Sequence, residues 1–283
     1  MKIIECPRDA MQGIDEFIPT DKKIRYINQL LKVGFDTIDF GSFVSPKAIP
    51  QLRDTAEVLA GLDLTGSTSK LLAIVANTRG AEEAAKHKSI EYLGFPLSIS
   101  ETFQQRNTNK SITEALETLN EIQQICSETN KKQVVYISMG FGNPYNDPYD
   151  VNVVGQFVDI LNTLGVGIIS LADTIGVSTP DQITYLFRTL SEKFPSVELG
   201  AHLHSNPKSA REKIDAAYNA GCKRFDGAIK GFGGCPMAKD ELVGNLATET
   251  ILAYLQERDA VKGINGTSFL QALTMADEIF PKH

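Results

Sequence analysis

Cysteine and histidine are scarce in this chain of 283 residues, with four of each. Cys6, Cys126, Cys222 and Cys235 form no Cys-x-x-Cys pair and no dense framework. That spacing excludes a small disulfide-stapled module and makes a reducing, cytoplasmic setting the expectation. Long hydrophobic runs are missing as well. The longest apolar stretches, such as 71–76, are strand-sized, whereas a membrane-spanning helix needs about 20 apolar residues, so no membrane association is expected. Positive charge is not in surplus. A net charge of -7 argues against nonspecific nucleic-acid binding, although a small site on an acidic protein can still be locally positive. No Gly-x-Gly-x-x-Gly opens a helix, no Walker-type phosphate loop is present, and no low-complexity linker divides the chain. No leader-like segment stands at the start; strand-like residues begin at Lys2-Ile3-Ile4-Glu5, so the fold is expected to begin near Met1.

What is present is an alternation of two periodicities. Short apolar runs bounded by Gly, Pro or Asn occur at 3–6, 37–40, 71–76, 90–93, 134–138, 166–171, 197–204 and 224–228, as expected of buried parallel strands. Helical patterns lie between them. Thr179-Pro180-Asp181-Gln182 reads as a capping box with Pro at the first helical position. Ile183, Leu186, Phe187 and Leu190 follow at the spacing of one buried face. A second helix is expected to open at Asp147-Pro148, with Val154, Phe157, Val158, Leu161 and Leu164 inward, and another to run over 20–33. Eight strand–helix units in a chain of this length favour a (β/α)8 TIM barrel, which typically takes about 250 residues, over an open sheet. The expectation is one barrel domain over 1–283: the barrel to about 258, then an extra C-terminal helix over 267–279 within an extension of about 259–283.

In a parallel barrel, chemistry collects at the C-terminal strand ends. Arg8 and Asp9 follow the first strand, Asp39 ends the second, Asp173 follows the sixth, His202 and His204 end the seventh, and Gly233-Gly234-Cys235-Pro236 and Gly244-Asn245 follow the eighth. Strand alternation turns Gly200, His202 and His204 into the barrel and Leu199, Ala201 and Leu203 towards the helices. Two imidazoles on one face can share a metal ion; a hydrogen-bonded interior pair is the ordinary alternative. Asp9 would add a carboxylate, or merely pair with Arg8. Asn245 would add an amide oxygen, or merely turn the chain. A mixed oxygen–nitrogen set suits Mg²⁺ or Mn²⁺ better than structural zinc.

Taken in chain order, Pro7-Arg8-Asp9, Ser42-Phe43-Val44-Ser45-Pro46-Lys47, Ser100-Glu101-Thr102-Phe103 with Asn107, Asp173-Thr174-Ile175-Gly176, His202-Leu203-His204, Gly233-Gly234-Cys235-Pro236 and Gly244-Asn245-Leu246-Ala247-Thr248-Glu249 resemble the hydroxymethylglutaryl-CoA lyases of the DRE-TIM metallolyase superfamily. The resemblance implies Asp9, His202, His204 and Asn245 as ligands of a divalent cation. It implies Arg8 as the group facing the enolate oxygen, Cys235 as a proton donor on a mobile loop, and Asp173 in substrate positioning or acid–base work. Asp39 stands where the family usually carries a glutamate. It further implies an acyl-CoA substrate, a homodimer and a place in leucine degradation. The reaction would be metal-assisted retro-Claisen cleavage of 3-hydroxy-3-methylglutaryl-CoA, with His202 the first candidate base and Asp39 or Asp173 in support. The alternative is a related aldolase or Claisen-type synthase acting on another acyl-CoA or a 2-oxo acid. Ser205-Asn206 after His204, Met237, and a longer, charged Lys239-Asp240-Glu241 loop depart from the family pattern next to the substrate. Arg79, Arg106 and Lys110 are cations that could meet CoA phosphates, though solvated surface charge is their ordinary role.

Overall fold

A computed structural model describes residues 1–234 and 243–280. In chain order the strands are β1 (Lys2–Glu5), β2 (Thr37–Ser42), β3 (Lys70–Ile74), β4 (Ile90–Ser98), β5 (Lys132–Ser138), β6 (Ile168–Asp173), β7 (Glu198–Leu203) and β8 (Arg224–Gly227). All pair in parallel, and β8 pairs with β1 to close the barrel. The helices are α1 (Pro7–Gln12), α2 (Thr20–Leu30), α3 (Thr55–Ala60), α4 (Thr78–Ala85), α5 (Glu101–Thr108), α6 (Ile112–Glu128), α7 (Val151–Thr163), α8 (Pro180–Lys193), α9 (Ala210–Asn219), α10 (Thr248–Gln256) and α11 (Gly266–Ile279). Each of the eight expected strands is present, and the capping box of Thr179 and Gln182 opens α8 with Pro180 in its first turn.

One expected helix start moves. α7 begins at Val151, with Asp150 as its N-cap accepting from the Val153 amide, and not at Asp147-Pro148. The Asp147 carboxylate is committed elsewhere: it accepts from Ser100 Oγ, Thr102 N and Thr102 Oγ1 at the start of α5. With that side chain taken, the chain runs without regular structure to Asp150, whose own backbone is extended.

Strand register divides the barrel interior into two halves. Leu72, Ile74, Tyr92, Val134, Tyr136 and Ile168, from β3 to β6, form an apolar cluster of their own. Across from them the inward positions of β2, β7 and β8 carry Asp39, Glu198, His202, Arg224 and Asp226. The larger core lies outside, between the barrel and its helices. Helix α11 packs on α2, with Tyr26 and Phe280 edge to face at 5.7 Å and Gln29 Nε2 donating to Ser268 O at 2.9 Å. Its C-terminal Phe280 also stacks on Phe232 at 4.6 Å, so the extension supports the loop that follows β8.

Beyond β6 the chain turns back to the helix layer, and Asp173 holds that turn. Its carboxylate accepts from Val177 N, Ser178 N and Ser178 Oγ, and pairs with Lys213 Nζ of α9 at 2.8 Å. The Lys213 ammonium also donates to Gly176 O and His204 O. Both side chains of the pair are almost fully buried. Removing one partner of such a pair strands the other charge in a low-dielectric interior. Lys213→Met is therefore expected to cost roughly 3 kcal/mol, the low end for breaking a buried pair because three hydrogen bonds remain on Asp173. Equilibrium urea unfolding measures it; a loss under about 1 kcal/mol, the value of an exposed pair, would contradict the assignment.

Candidate active site

Strand β1 ends at Glu5, and Pro7 starts α1 at its first turn. Proline suits that position because its missing N–H has no intrahelical partner to lose. The helix therefore begins right at the mouth of the barrel and sets Arg8 and Asp9 there, both buried. The Arg8 guanidinium is held on three sides. Nε and Nη2 donate to Asp39 Oδ2 at 3.0 and 2.6 Å. Nη1 donates to Asp9 Oδ1 at 3.0 Å and to Gln12 Oε1 at 2.8 Å. Gln12 Nε2 in turn donates to Asp9 Oδ1 at 2.9 Å.

The histidine pair points inward, as strand alternation requires. One ligand atom each of Asp9, His202 and His204 lies within 4.8 Å of the other two. His202 Nδ1 is 3.2 Å from Asp226 Oδ2. Neither ring nitrogen of buried His204 makes a well-formed hydrogen bond, the Thr174 backbone being its weak polar neighbour. A buried polar group without a partner costs stability unless something else satisfies it. Burial, followed by the nearby His202 charge, lowers His204 to about 4 against the pull of Asp9, Asp173 and the Thr174 backbone. A neutral imidazole with free nitrogens beside an ionised carboxylate is the donor set a divalent cation takes. For Asp9 burial pushes upward, but Arg8, His202, His204 and the Asn245 hydrogen bond outweigh it and hold the carboxyl below its usual value. These residues fit the metal that the family resemblance implies.

A second triad, Cys6, His202 and Asp226, has similar spacing. It fits a cation less well. Burial and four surrounding acids raise the Cys6 thiol far above its ordinary value, and a thiol binds metal only as thiolate.

Asn245 reaches the same place by tertiary contact. The backbone at 245 bridges to His204, and Leu246 N donates to Leu203 O. The Asn245 amide nitrogen donates to Asp9 Oδ2 at 2.6 Å and to Phe232 O at 2.9 Å. Asn245 thus holds Asp9, and its amide oxygen remains the only atom of that side chain able to serve as a ligand. Gly233, with φ 95°, lets the loop pass. A Cβ there would lie 2.7 Å from Asn245 Nδ2 and 2.9 Å from Asp9 O, closer than atoms pack.

The structure therefore brings together Arg8, Asp9, Asp39, His202, His204 and Asn245. It does not bring Asp173 to them: that carboxylate faces the helix layer, committed to Lys213 and the 177–178 amides. Cys235, and the Met237 and Lys239-Asp240-Glu241 departures, lie outside the described residues. Asp39 is fully buried. Burial pushes it up to about 6, with Asp9 and Asp226 adding to the rise and Arg8 opposing it. Asp226 and Gln12 were not among the expected site residues. Applying to β8 the alternation used for β7 turns Arg224 and Asp226 inward, which is the signal that finds Asp226.

A cavity of about 430 Å³ opens over the site. Arg8, Asp9, Gln12, His202 and His204 line one wall. The opposite wall is mainly apolar, with Val44, Ile49, Ile74, Pro96, Phe103 and Tyr136. Arg106 and Asn107 stand at its edge, while Arg79 and Lys110 do not line it. Among the described residues no helix is long and apolar enough to cross a membrane.

Comparison with known proteins identifies the family. The sequence profile described as HMGL-like matches residues 2–276. The chain is 34% identical to hydroxymethylglutaryl-CoA lyase YngG of Bacillus subtilis over 272 residues, covering 96% of this chain and 90% of the relative. It is 33% identical to the mitochondrial hydroxymethylglutaryl-CoA lyase of Mus musculus, covering 96% and 83%. A crystal structure of an HMG-CoA lyase from Acinetobacter baumannii in complex with coenzyme A and 3-methylmalate superposes with a TM-score of 0.90 at 30% identity, covering 99% of this chain and 91% of that one. A match that runs from residue 2 to residue 276 leaves no strand of the barrel outside it, and the chain belongs to the HMGL-like family.

Proposed function

We propose that the protein is a carbon–carbon lyase that cleaves 3-hydroxy-3-methylglutaryl-CoA into acetyl-CoA and acetoacetate. The observation that carries the reading is the convergence of Asp9, His202 and the unpartnered His204 beside a buried, fixed Arg8 at the floor of a half-apolar cavity. Family membership and relatives named for this activity support it. Asp9, His202, His204 and the Asn245 amide oxygen would hold the metal, Mg²⁺ or Mn²⁺ by donor type. When bound, such a cation polarises the substrate's tertiary hydroxyl and an adjacent oxygen and makes the hydroxyl more acidic.

The chain's own groups then divide the work. His202 cannot be ligand and base together, because Asp226 occupies Nδ1 and leaves one nitrogen. We assign it the ligand role. Asp39, raised to about 6, is assigned the hydroxyl proton through an intervening water, because it does not line the cavity and its Oδ2 is held by Arg8. The C2–C3 bond breaks, C3 becomes the ketone of acetoacetate, and the electron pair moves into the thioester enolate. Arg8 is pre-set for that oxygen: its guanidinium is already desolvated and fixed, so it stabilises the developing charge without reorganising. Protonation at C2 is assigned to Cys235 from its sequence context. The apolar wall takes the substrate's methyl and methylene groups, and Arg106 at the cavity edge serves the CoA end. A cytoplasmic homodimer in leucine degradation completes the reading, on family resemblance alone.

Chelator-stripped protein should release acetyl-CoA and acetoacetate from 3-hydroxy-3-methylglutaryl-CoA only after Mg²⁺ or Mn²⁺ is restored. Metal binding without cleavage would move the assignment to another acyl-CoA or a 2-oxo acid. Arg8→Gln should retain metal affinity while kcat falls roughly 10²–10³-fold, the usual loss of an oxyanion donor; near-normal kcat would remove Arg8 from that role. His204→Ala should weaken Mn²⁺ binding by more than about 10-fold, beyond what removing an outer partner does. Unchanged affinity by calorimetry would take His204 out of the ligand set.

A further inference from the structure

Beneath the site, the charged half of the barrel interior continues downward. Asp226, on β8, is fully buried, and its Oδ2 meets His202 Nδ1 at 3.2 Å. Arg224, two residues earlier on the same face, lies 1% exposed within the barrel, with Nε 3.9 Å from Asp226 Oδ1 and Nη1 3.6 Å from Glu198 Oε1. Lys2 closes the column at the bottom, its Nζ 2.6 Å from Glu198 Oε2. Room for Arg224 is made by Gly200 on β7: a Cβ there would sit 2.5 Å from Arg224 Cγ and 2.5 Å from Ser170 Oγ. A guanidinium placed in a barrel core needs a reason, because burying it unpaired is costly. Among the described residues, the carboxylate on its upward side is Asp226, and the group hydrogen-bonded to that carboxylate is His202.

We propose that Asp226 is a positioning residue that fixes the ring orientation and tautomer of His202, with Arg224 supplying the countercharge that keeps the Asp226 carboxylate in place. The inference rests on the reading of Asp9, His202 and His204 as a cation site. An imidazole has two nitrogens, and which one is free for a cation follows from what the other one holds. Asp226 takes the Nδ1 proton, so Nε2 is the nitrogen left for the cavity. Edge-on contact with the Tyr136 ring, centroids 5.6 Å apart, limits the ring from the other side. Asp226 acts only through His202; it does not line the cavity.

Two measurements on the full chain test this. Mn²⁺ affinity by titration calorimetry should fall on the order of 10–100-fold in Asp226→Ala, the usual effect of removing the outer partner of a ligating histidine. Asp226→Asn, which can still accept the Nδ1 proton through its amide oxygen, should recover part of that loss. Nitrogen-15 NMR of the wild-type Mg²⁺ form should show His202 protonated at Nδ1 and not at Nε2, a result that needs no variant to fold. Wild-type protein that binds Mn²⁺ alongside an Asp226→Ala variant of equal affinity would overturn the inference and leave the cation site standing. An Nε2-protonated His202 would overturn it too. Wild-type protein that binds no Mn²⁺ would overturn both.

Discussion

The arrangement depends on one electrostatic constraint: charge inside a closed barrel must meet opposite charge. The interior is shielded from water, so each ionised group there pays desolvation that only a close partner offsets. One half of this barrel answers with alternating sign from bottom to top. Lys2 meets Glu198, Arg224 lies between Glu198 and Asp226, Asp226 holds His202, Asp9 faces the histidines and Arg8, and Arg8 is clamped on Asp39. Within that series His204 has no well-formed hydrogen bond at either ring nitrogen, while Asp39, Glu198, Arg224 and Asp226 each keep at least one atom without a partner. In the proposed reading the cation would be held at the His204 end of the series.

The other half of the interior is apolar, from Leu72 through Ile168. This asymmetry matters for a thioester substrate. In the proposed reaction, polar groups of the acyl portion would meet one wall while its hydrocarbon meets the other. In the proposed reaction low local dielectric would strengthen Arg8 towards a developing oxyanion, and the same burial raises the Asp39 carboxyl to about 6.

Much of this was legible in the residues. All eight strands are legible as short apolar runs, and alternation along 200–204 by itself turns His202 and His204 inward. Arg8 and Asp9 stand out in the sequence as the charged residues that follow the first strand. Asp226 escaped because the eighth strand was read for its following loop and not for its own parity. Asp173 looked like a strand-end acid of the same kind as Asp39. The difference is that Asp173 sits on the outward parity of β6 and finds Lys213, 40 residues away, which no local pattern reveals. Asp147 misled in the same way: its carboxylate looked free to cap a helix but was taken by Ser100 and Thr102 across the loop.

The sequence by itself determined the alternating strand–helix order that favours a barrel, the inward face of β7 and the residue types gathered at the strand ends, because periodicity and strand parity are local properties of the chain. Tertiary structure decided which of those residues work together. It set Asn245 on Asp9 across 236 positions, Asp226 under His202 and Asp173 against Lys213. Those pairings depend on barrel closure and on which buried charges find a partner within hydrogen-bond reach, and distance in space is not written in spacing along the chain.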